Sequence, residues 1–420
     1  MMNKIAMVFW LVAFVVISQS PTRSADKIRL TFWHSVSLYM GNTIDQLIRG
    51  FNIANARNIE VQGIFQGTYD NAMAKLISAA GSGHLPDIAQ ISVEQLDLFM
   101  EDGLISPIDS LISEEDRKDI LQPFWNVVTR KGKIWAMPFN HNVQLLFYNK
   151  DFFAQTGLDP QAPPATWDEV LAMSQRLTKD TNGDGTSDRW GILIGIVNLY
   201  SFTPFIVQMG GIPFTPDMKK ATFNDGAGVR ALTFLQDLVY KQRVMPPKMT
   251  IEEALGSFLT GNIAMGASTS AIIKFTEENL PWPLGVAPLP RGVQSFSALS
   301  GAGLVVFERD DPERQRAAWE FVGWLGNKKN TIKWHISTGY LPLRRSALDS
   351  LELKVFHRKN HNFRVALEQL SAAYPIPSTR NLEKLNKVIR DMMEAIMLYQ
   401  ADPKTELDKA AALSNKILDH

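Results

Sequence analysis

The chain has 420 residues, 45% of them hydrophobic, with 43 Lys plus Arg, 43 Asp plus Glu and no cysteine. This is the composition of a folded chain of two or three domains, not of a disordered or collagen-like polymer. The balanced charge gives no sign of a general nucleic-acid binder, which carries a basic excess. Without cysteine there are no disulfides, thiolate metal sites, cysteine nucleophiles or lipid-modified cysteine, so large buried cores must supply the stability.

In chain order, Lys4 precedes an uncharged apolar run, Ile5 to Ile17, and a polar stretch ending in small residues, SQSPTRSA. That tripartite order predicts a secretory signal peptide over residues 1–25, cut after Ser24 or Ala25. The run is short of the roughly 20 residues that a membrane span needs. The expected product is exported, and periplasmic because no cysteine is available to anchor it.

Ile28 to Trp33 reads as a strand, and from Asn42 onward Ile44, Leu47, Ile48 and Phe51 share one helical face. Ile59 to Phe65 is a second strand, Asn71 to Ala80 a helix closed by Gly81 and Gly83, and Asp87 to Ile91 a third, buried strand. The alternation predicts an α/β fold with a mostly parallel sheet covered on both faces. Ligands bind such sheets outside the carboxyl ends of the strands, which directs attention to Trp33-His34-Ser35, Gln66 to Tyr69 and Ser92 to Gln95.

A second block has strands at Leu145–Tyr148, Ile263–Ala267, Leu284–Ala287 and Gly303–Phe307. Its predicted helices are Trp167–Leu177, Val229–Tyr240 and Glu313–Leu325. In the helical C-terminal hundred residues, Leu382, Leu385, Ile389, Met392, Met393 and Ile396 form a stripe expected to be core. Between helix and strand, residues 180–188 place oxygen ligands at Asp180, Asn182, Asp184 and Asp188, with Gly185 at the sixth position. That is the spacing of a calcium loop, here without the bidentate glutamate at position twelve, where Gly191 stands. The competing reading is an Asx-rich turn. No cofactor is required, and a calcium ion here would be structural.

Segments along nearly the whole mature chain carry a family resemblance: FWHS at 32–35, QGTY at 66–69, MPFN at 137–140, FYNKDFF at 147–153, GLDPQAPPATWDEV at 157–170, GNIAMGAS at 261–268, SGAGLVVF at 300–307 and WHISTGYLPLRRSAL at 334–348. In that order and spacing they resemble the extracellular solute-binding proteins of bacterial ABC importers, most closely the sn-glycerol-3-phosphate-binding group and its sugar-binding relatives.

The resemblance implies a type II periplasmic-binding-protein fold: two discontinuous lobes around a hinge and a ligand cleft. Residues 26–142 and 302–341 would form the N-lobe, and 143–301 and 342–420 the C-lobe. Crossovers would fall near Asn142–Gln144, Ser300 and Leu341–Ser346. The implied function is capture of a carbohydrate or glycerol-phosphate solute and delivery to a membrane permease, by a monomer.

Motif matching carries ligand contacts onto Tyr69, Asn142, Thr269 with the adjacent Ser270, Gly301 and Tyr340, and a cleft tryptophan onto Trp167. A family glutamate matches Val93, with Glu94 adjacent. The phosphate-binding arginine matches Lys387, with Arg380 as competitor. Lysine lacks the bidentate fork that arginine offers phosphate. Trp33, and also Trp282, are candidate sugar-stacking walls beside these residues.

Enzyme signatures are absent from the sequence. It has no HExxH, nucleophile elbow or P-loop, and His357 and His361 lie in a basic stretch expected to be solvated surface. A secreted carbohydrate-active hydrolase needs only two carboxylates and is the different-class alternative.

Overall fold

A computed structural model describes residues 27–36, 39–247, 249, 251–308 and 310–419. The expected signal peptide lies outside the described residues. Among those described, no helix is long and apolar enough to cross a membrane.

Ten strands are described: β1 (Ile28–His34), β2 (Ile59–Phe65), β3 (Ile88–Ser92), β4 (Thr129–Arg130), β5 (Lys133–Ile134), β6 (Met137–Asn149), β7 (Met265–Thr269), β8 (Leu284–Pro288), β9 (Ser297–Val306) and β10 (Ala373–Pro375). Apart from the β4–β5 pair they form one sheet in the order β2-β1-β3-β9-β6-β7, with β10 on β9 and β8 on β6. Only the β1–β2, β1–β3 and β9–β10 pairs are parallel. The pairs that β9 makes with β3 and β6, and those of β6 with β7 and β8, are antiparallel. The sheet is therefore mixed, not mostly parallel. The difference arises because β6 and β9 run against each other through the middle of the molecule, whereas β1 to β3 are joined by helical crossovers.

Partner exchange along β6 builds the hinge. Met137–Val143 pair with β9, and from Gln144 onward the strand pairs with β7 and β8. Ser300 and Gly301 lie opposite Asn142 and His141. The segment after Leu341 keeps contacts with the first lobe before it meets the second. Ser346 still bonds Asp119 through its backbone N–H at 2.8 Å, whereas Asn362 and Gln369 of the helix His361–Gln369 already bond Leu284 and Leu289 beside β8. Arg344 is buried beside Asp116 and Asp119, an ion-paired pin that holds this segment to the first lobe.

There are two apolar clusters, and the first runs through Val143 and Leu299 of the hinge to Phe147 and Val286. The first packs Leu30, Phe32, Phe51, Ile88 and Phe321 around β1 and β3. The second packs Leu146, Phe202, Phe223 and Leu235 against the stripe Leu382, Leu385, Ile389, Met392, Met393 and Ile396 of the helix Leu382–Leu398. Each buried Leu or Phe contributes about 1.5–3 kcal/mol, which makes disulfides unnecessary in a chain this long.

Capping places the helix starts at the strand ends. Gly67, at φ 95°, turns the chain after β2. Thr68 then caps the helix Tyr69–Ser82 in a reciprocal box with Asn71, leaving Tyr69 as its first residue. Asn198 caps Leu199–Gln208 in the same way and sets Tyr200 in its first turn.

Candidate ligand-binding site

A cluster of buried polar side chains lies at the hinge. The Tyr69 hydroxyl accepts from Gln90 Nε2 and Asn140 Nδ2, each at 3.1 Å. Tyr340 lies beside it and beside Asn140. From the other lobe, the Tyr200 hydroxyl donates to Asn142 Oδ1 at 2.8 Å, and Thr269, which pairs with Gln144, lies beside Tyr200. Tyr69, Asn142, Thr269 and Tyr340 are thus brought together, contributed by both lobes and by the strand that joins them.

Burial sets the electrostatics of this cluster. It pushes the Tyr69, Tyr200 and Tyr340 hydroxyls above their ordinary range, so all three stay neutral. Glu94 is buried, and desolvation raises its pKa, while hydrogen bonds from Ser300 and Ser92 partly oppose that rise. His141 is enclosed between Phe124, on which it stacks, and the Ser300 carbonyl. Burial lowers its pKa to about 4, and it is neutral at physiological pH.

Sequence reasoning missed Gln90, Asn140, Tyr200, Ser300 and the engagement of Glu94. Gln90 carried a signal, as a polar residue inside the otherwise apolar β3. Asn140 was present in the MPFN segment but had no role assigned. Nothing local distinguished Tyr200, because its position depends on a helix from the far lobe.

Other candidates are placed elsewhere. Gly301 has φ 133°, and a Cβ there would lie 2.0 Å from the Asn140 carbonyl oxygen. Its missing side chain lets β6 and β9 approach, where a close approach to ligand had been expected. Ser270 is fully buried and accepts the Val143 N–H at 3.3 Å, a contact that braces the hinge. Trp33 lines a shallow groove with Thr31, Ile64, His84 and Arg314, on the opposite face of β1 from Phe32, so it is not brought into the tyrosine cluster. Trp167 is core: its Nε1–H donates to Gln208 at 2.8 Å, and its ring meets Phe205 edge-on. Trp282 packs edge-on against Phe258.

The two basic candidates are both paired on the surface. Lys387 bonds Asp391 within its own helix at 2.6 Å. Arg380 reaches across the lobes to Asp102 at 3.0 Å and Glu101 at 3.5 Å. Beside it Ser378 bonds the Glu94 carbonyl at 3.1 Å and the Asp97 carboxylate, so this segment closes one side of the cleft. His357 is not simply solvated surface. Its Nε2 lies 2.8 Å from Nε2 of the buried His335.

In the 180–188 loop, Asp180 accepts the backbone N–H groups of Gly183 and Gly185, Asp184 that of Thr186, and Asp188 that of Thr181. Among the described residues no three acidic or imidazole groups converge as a metal site would require. The loop has the form of successive Asx turns.

Comparison with known proteins agrees with the geometry. The sn-glycerol-3-phosphate-binding periplasmic protein UgpB of Pectobacterium atrosepticum is 25% identical over 97% of this chain and 94% of its own. UgpB of Mycobacterium tuberculosis, solved with glycerophosphocholine, shares the fold at TM-score 0.83 and 23% identity, over 93% of this chain and 98% of that one. An ABC transporter solute-binding protein from Thermotoga lettingae, solved with tagatose, superposes at TM-score 0.80 and 24% identity, over 93% and 99%. The fold is the type II binding-protein fold of these neighbours. The family model for bacterial extracellular solute-binding proteins matches residues 46–363, and the chain belongs to that family.

Proposed function

We propose that this protein captures a hydroxyl-rich solute, a carbohydrate or a glycerol-phosphate-type polyol, and hands it to the membrane subunits of an ABC importer. The observation that carries the reading is the convergence of Tyr69, Tyr340, Asn142 and Tyr200 from two lobes on one hinge. Contacts that require both lobes favour the closed form when ligand is present, and closure is the state a permease can distinguish. The ligands for which the relatives are named or with which they were solved, glycerol 3-phosphate, glycerophosphocholine and sugars, support this class.

We read it as a monomeric receptor, not an enzyme. A glycosidase needs two carboxyl groups facing the scissile bond, whereas Glu94 already accepts the hydroxyls of Ser92 and Ser300. The periplasm is its proposed location, after removal of residues 1–25. Mass measurement of exported protein tests that cleavage.

The function is tested by thermal shift of the mature protein against sugars, sn-glycerol 3-phosphate and glycerophosphodiesters. The bound compound is then recovered and weighed. Stabilisation by one class, with the ligand returned unchanged, is expected. Turnover would support the hydrolase reading, and no response across the panel would remove the proposed ligand class.

A further inference from the structure

The hydrogen bonds behind the cleft have a direction that can be deduced one atom at a time. The starting point is a group with no choice. The backbone N–H of Ser35 can only donate, and it meets Gln90 Oε1 at 2.8 Å. This fixes which end of the Gln90 amide is oxygen. Its –NH2 then faces Asn140 Oδ1 at 2.8 Å and the Tyr69 hydroxyl at 3.1 Å. Because Asn140 accepts through its oxygen, its own –NH2 must face the tyrosines, and it lies 3.1 Å from Tyr69. The Tyr69 oxygen thereby accepts two N–H groups. With both acceptor positions filled, its single proton is left to point away from Gln90 and Asn140, into the cleft.

We infer that Gln90 is a positioning residue that, directly and through Asn140, fixes Tyr69 as a hydrogen-bond donor to the ligand. The inference rests on the proposed ligand site and deepens it. The ligand atom met by Tyr69 must be an acceptor oxygen. On the other lobe the logic repeats in a shorter form. Tyr200 donates to Asn142 Oδ1, which leaves the Asn142 –NH2 as the group offered to ligand. Two donors suit adjacent hydroxyl or ether oxygens, each of which can accept. Gln90 is 2% exposed and its role is to orient the residues in front of it.

The test uses Gln90→Leu, Gln90→Glu, Tyr69→Phe and the double variant Gln90→Leu/Tyr69→Phe. Calorimetry is run with maltotriose and with glycerophosphocholine as probes. Gln90→Leu is expected to weaken binding about tenfold, the size of one misdirected hydrogen bond in a closed site. The double variant should bind no worse than Tyr69→Phe alone, because one effect acts through the other. Gln90→Glu separates polarity from packing. Ionised, the carboxylate cannot donate to Tyr69; protonated, it can. Its affinity should approach that of the parent near pH 5 and fall about tenfold near pH 8, while the parent changes little between them. A loss that is flat with pH, or full additivity in the double variant, would overturn the inference. If neither probe binds the parent, the proposed ligand class fails separately. The wiring is then read without ligand, from the tyrosine Raman doublet that reports whether a hydroxyl donates or accepts. Gln90→Leu should shift it, and Tyr69→Phe should abolish that difference. An unshifted doublet would refute the wiring.

Discussion

Replacing Gly301 by alanine tests how the hinge is built. The new methyl carbon would lie 2.0 Å from the Asn140 carbonyl oxygen and 2.8 Å from His141 Cα. Both are backbone atoms of β6, so no side-chain rotation relieves the contact. They lie where His141 pairs with Gly301 and Asn142 with Ser300. Two costs combine: the strained positive φ, of order 1–3 kcal/mol, and overpacking, about 1–3 kcal/mol more. The expected loss is about 2–6 kcal/mol, measured as a lower urea midpoint with an unchanged slope. Gly323→Ala is the control, because a Cβ there meets nothing within 4 Å and a helical alanine should be neutral or stabilising. A loss below about 0.5 kcal/mol at Gly301 would mean that β6 and β9 need not approach this closely, and the hinge geometry would be wrong.

Acid should destabilise the protein through two buried histidines. Burial holds His141 at about 4 and His335 at about 3. Above the unfolded value of about 6.5 both states are neutral and stability is complete. As pH falls below it the unfolded chain takes up protons that the folded chain refuses, at about 1.4 kcal/mol per unit for each histidine. The carboxyl groups of Glu94, Glu277 and Glu383, raised by burial, act in the opposite sense. NMR should therefore show the two imidazoles unprotonated at pH 5.5, and ordinary titration near 6.5 would contradict their enclosure. Lys387→Ala should leave ligand affinity within about twofold, since exposed pairs contribute little. Arg380→Ala should cost several-fold through its cross-lobe pair. A hundredfold loss confined to phosphorylated ligands would show that Arg380 leaves Asp102 for the phosphate. Calorimetry with calcium should show no uptake at the 180–188 loop if its carboxylates remain committed to backbone N–H groups; uptake abolished by Asp184→Ala would establish the metal site.

The elements that apolar periodicity defines were legible in the sequence. β2 and the helix Trp167–Leu177 fall where the pattern puts them, because strong alternation or a Thr166 capping box marks their ends. β6 was not fully legible. Only Leu145–Tyr148 read as strand, yet the strand begins at Met137 and is buried throughout. Its first half carries Asn140, His141 and Asn142, whose polar side chains hide the period and form part of the hinge site. The same competition explains the misplaced tryptophans. An aromatic residue near a motif reads equally well as platform or core, and only the packing of Phe205 and Phe234 around Trp167 decides it. The motifs pointed to Tyr69 and Tyr340 in the hinge cluster. The bonds of Tyr69 to Gln90 and Asn140 were not legible, since they depend on strands distant in sequence meeting.

The central claim is that one cleft, read by Tyr69 and Tyr340, binds a hydroxyl-rich solute. Urea unfolding of the mature protein with and without the ligand found in the thermal-shift panel tests it most directly, on the parent and on Tyr69→Ala and Tyr340→Ala. At 100 times the dissociation constant the parent should gain about 2.7 kcal/mol. Each variant should lose most of that gain at the same ligand concentration. Equal gains in all three proteins would place the ligand elsewhere and contradict the account.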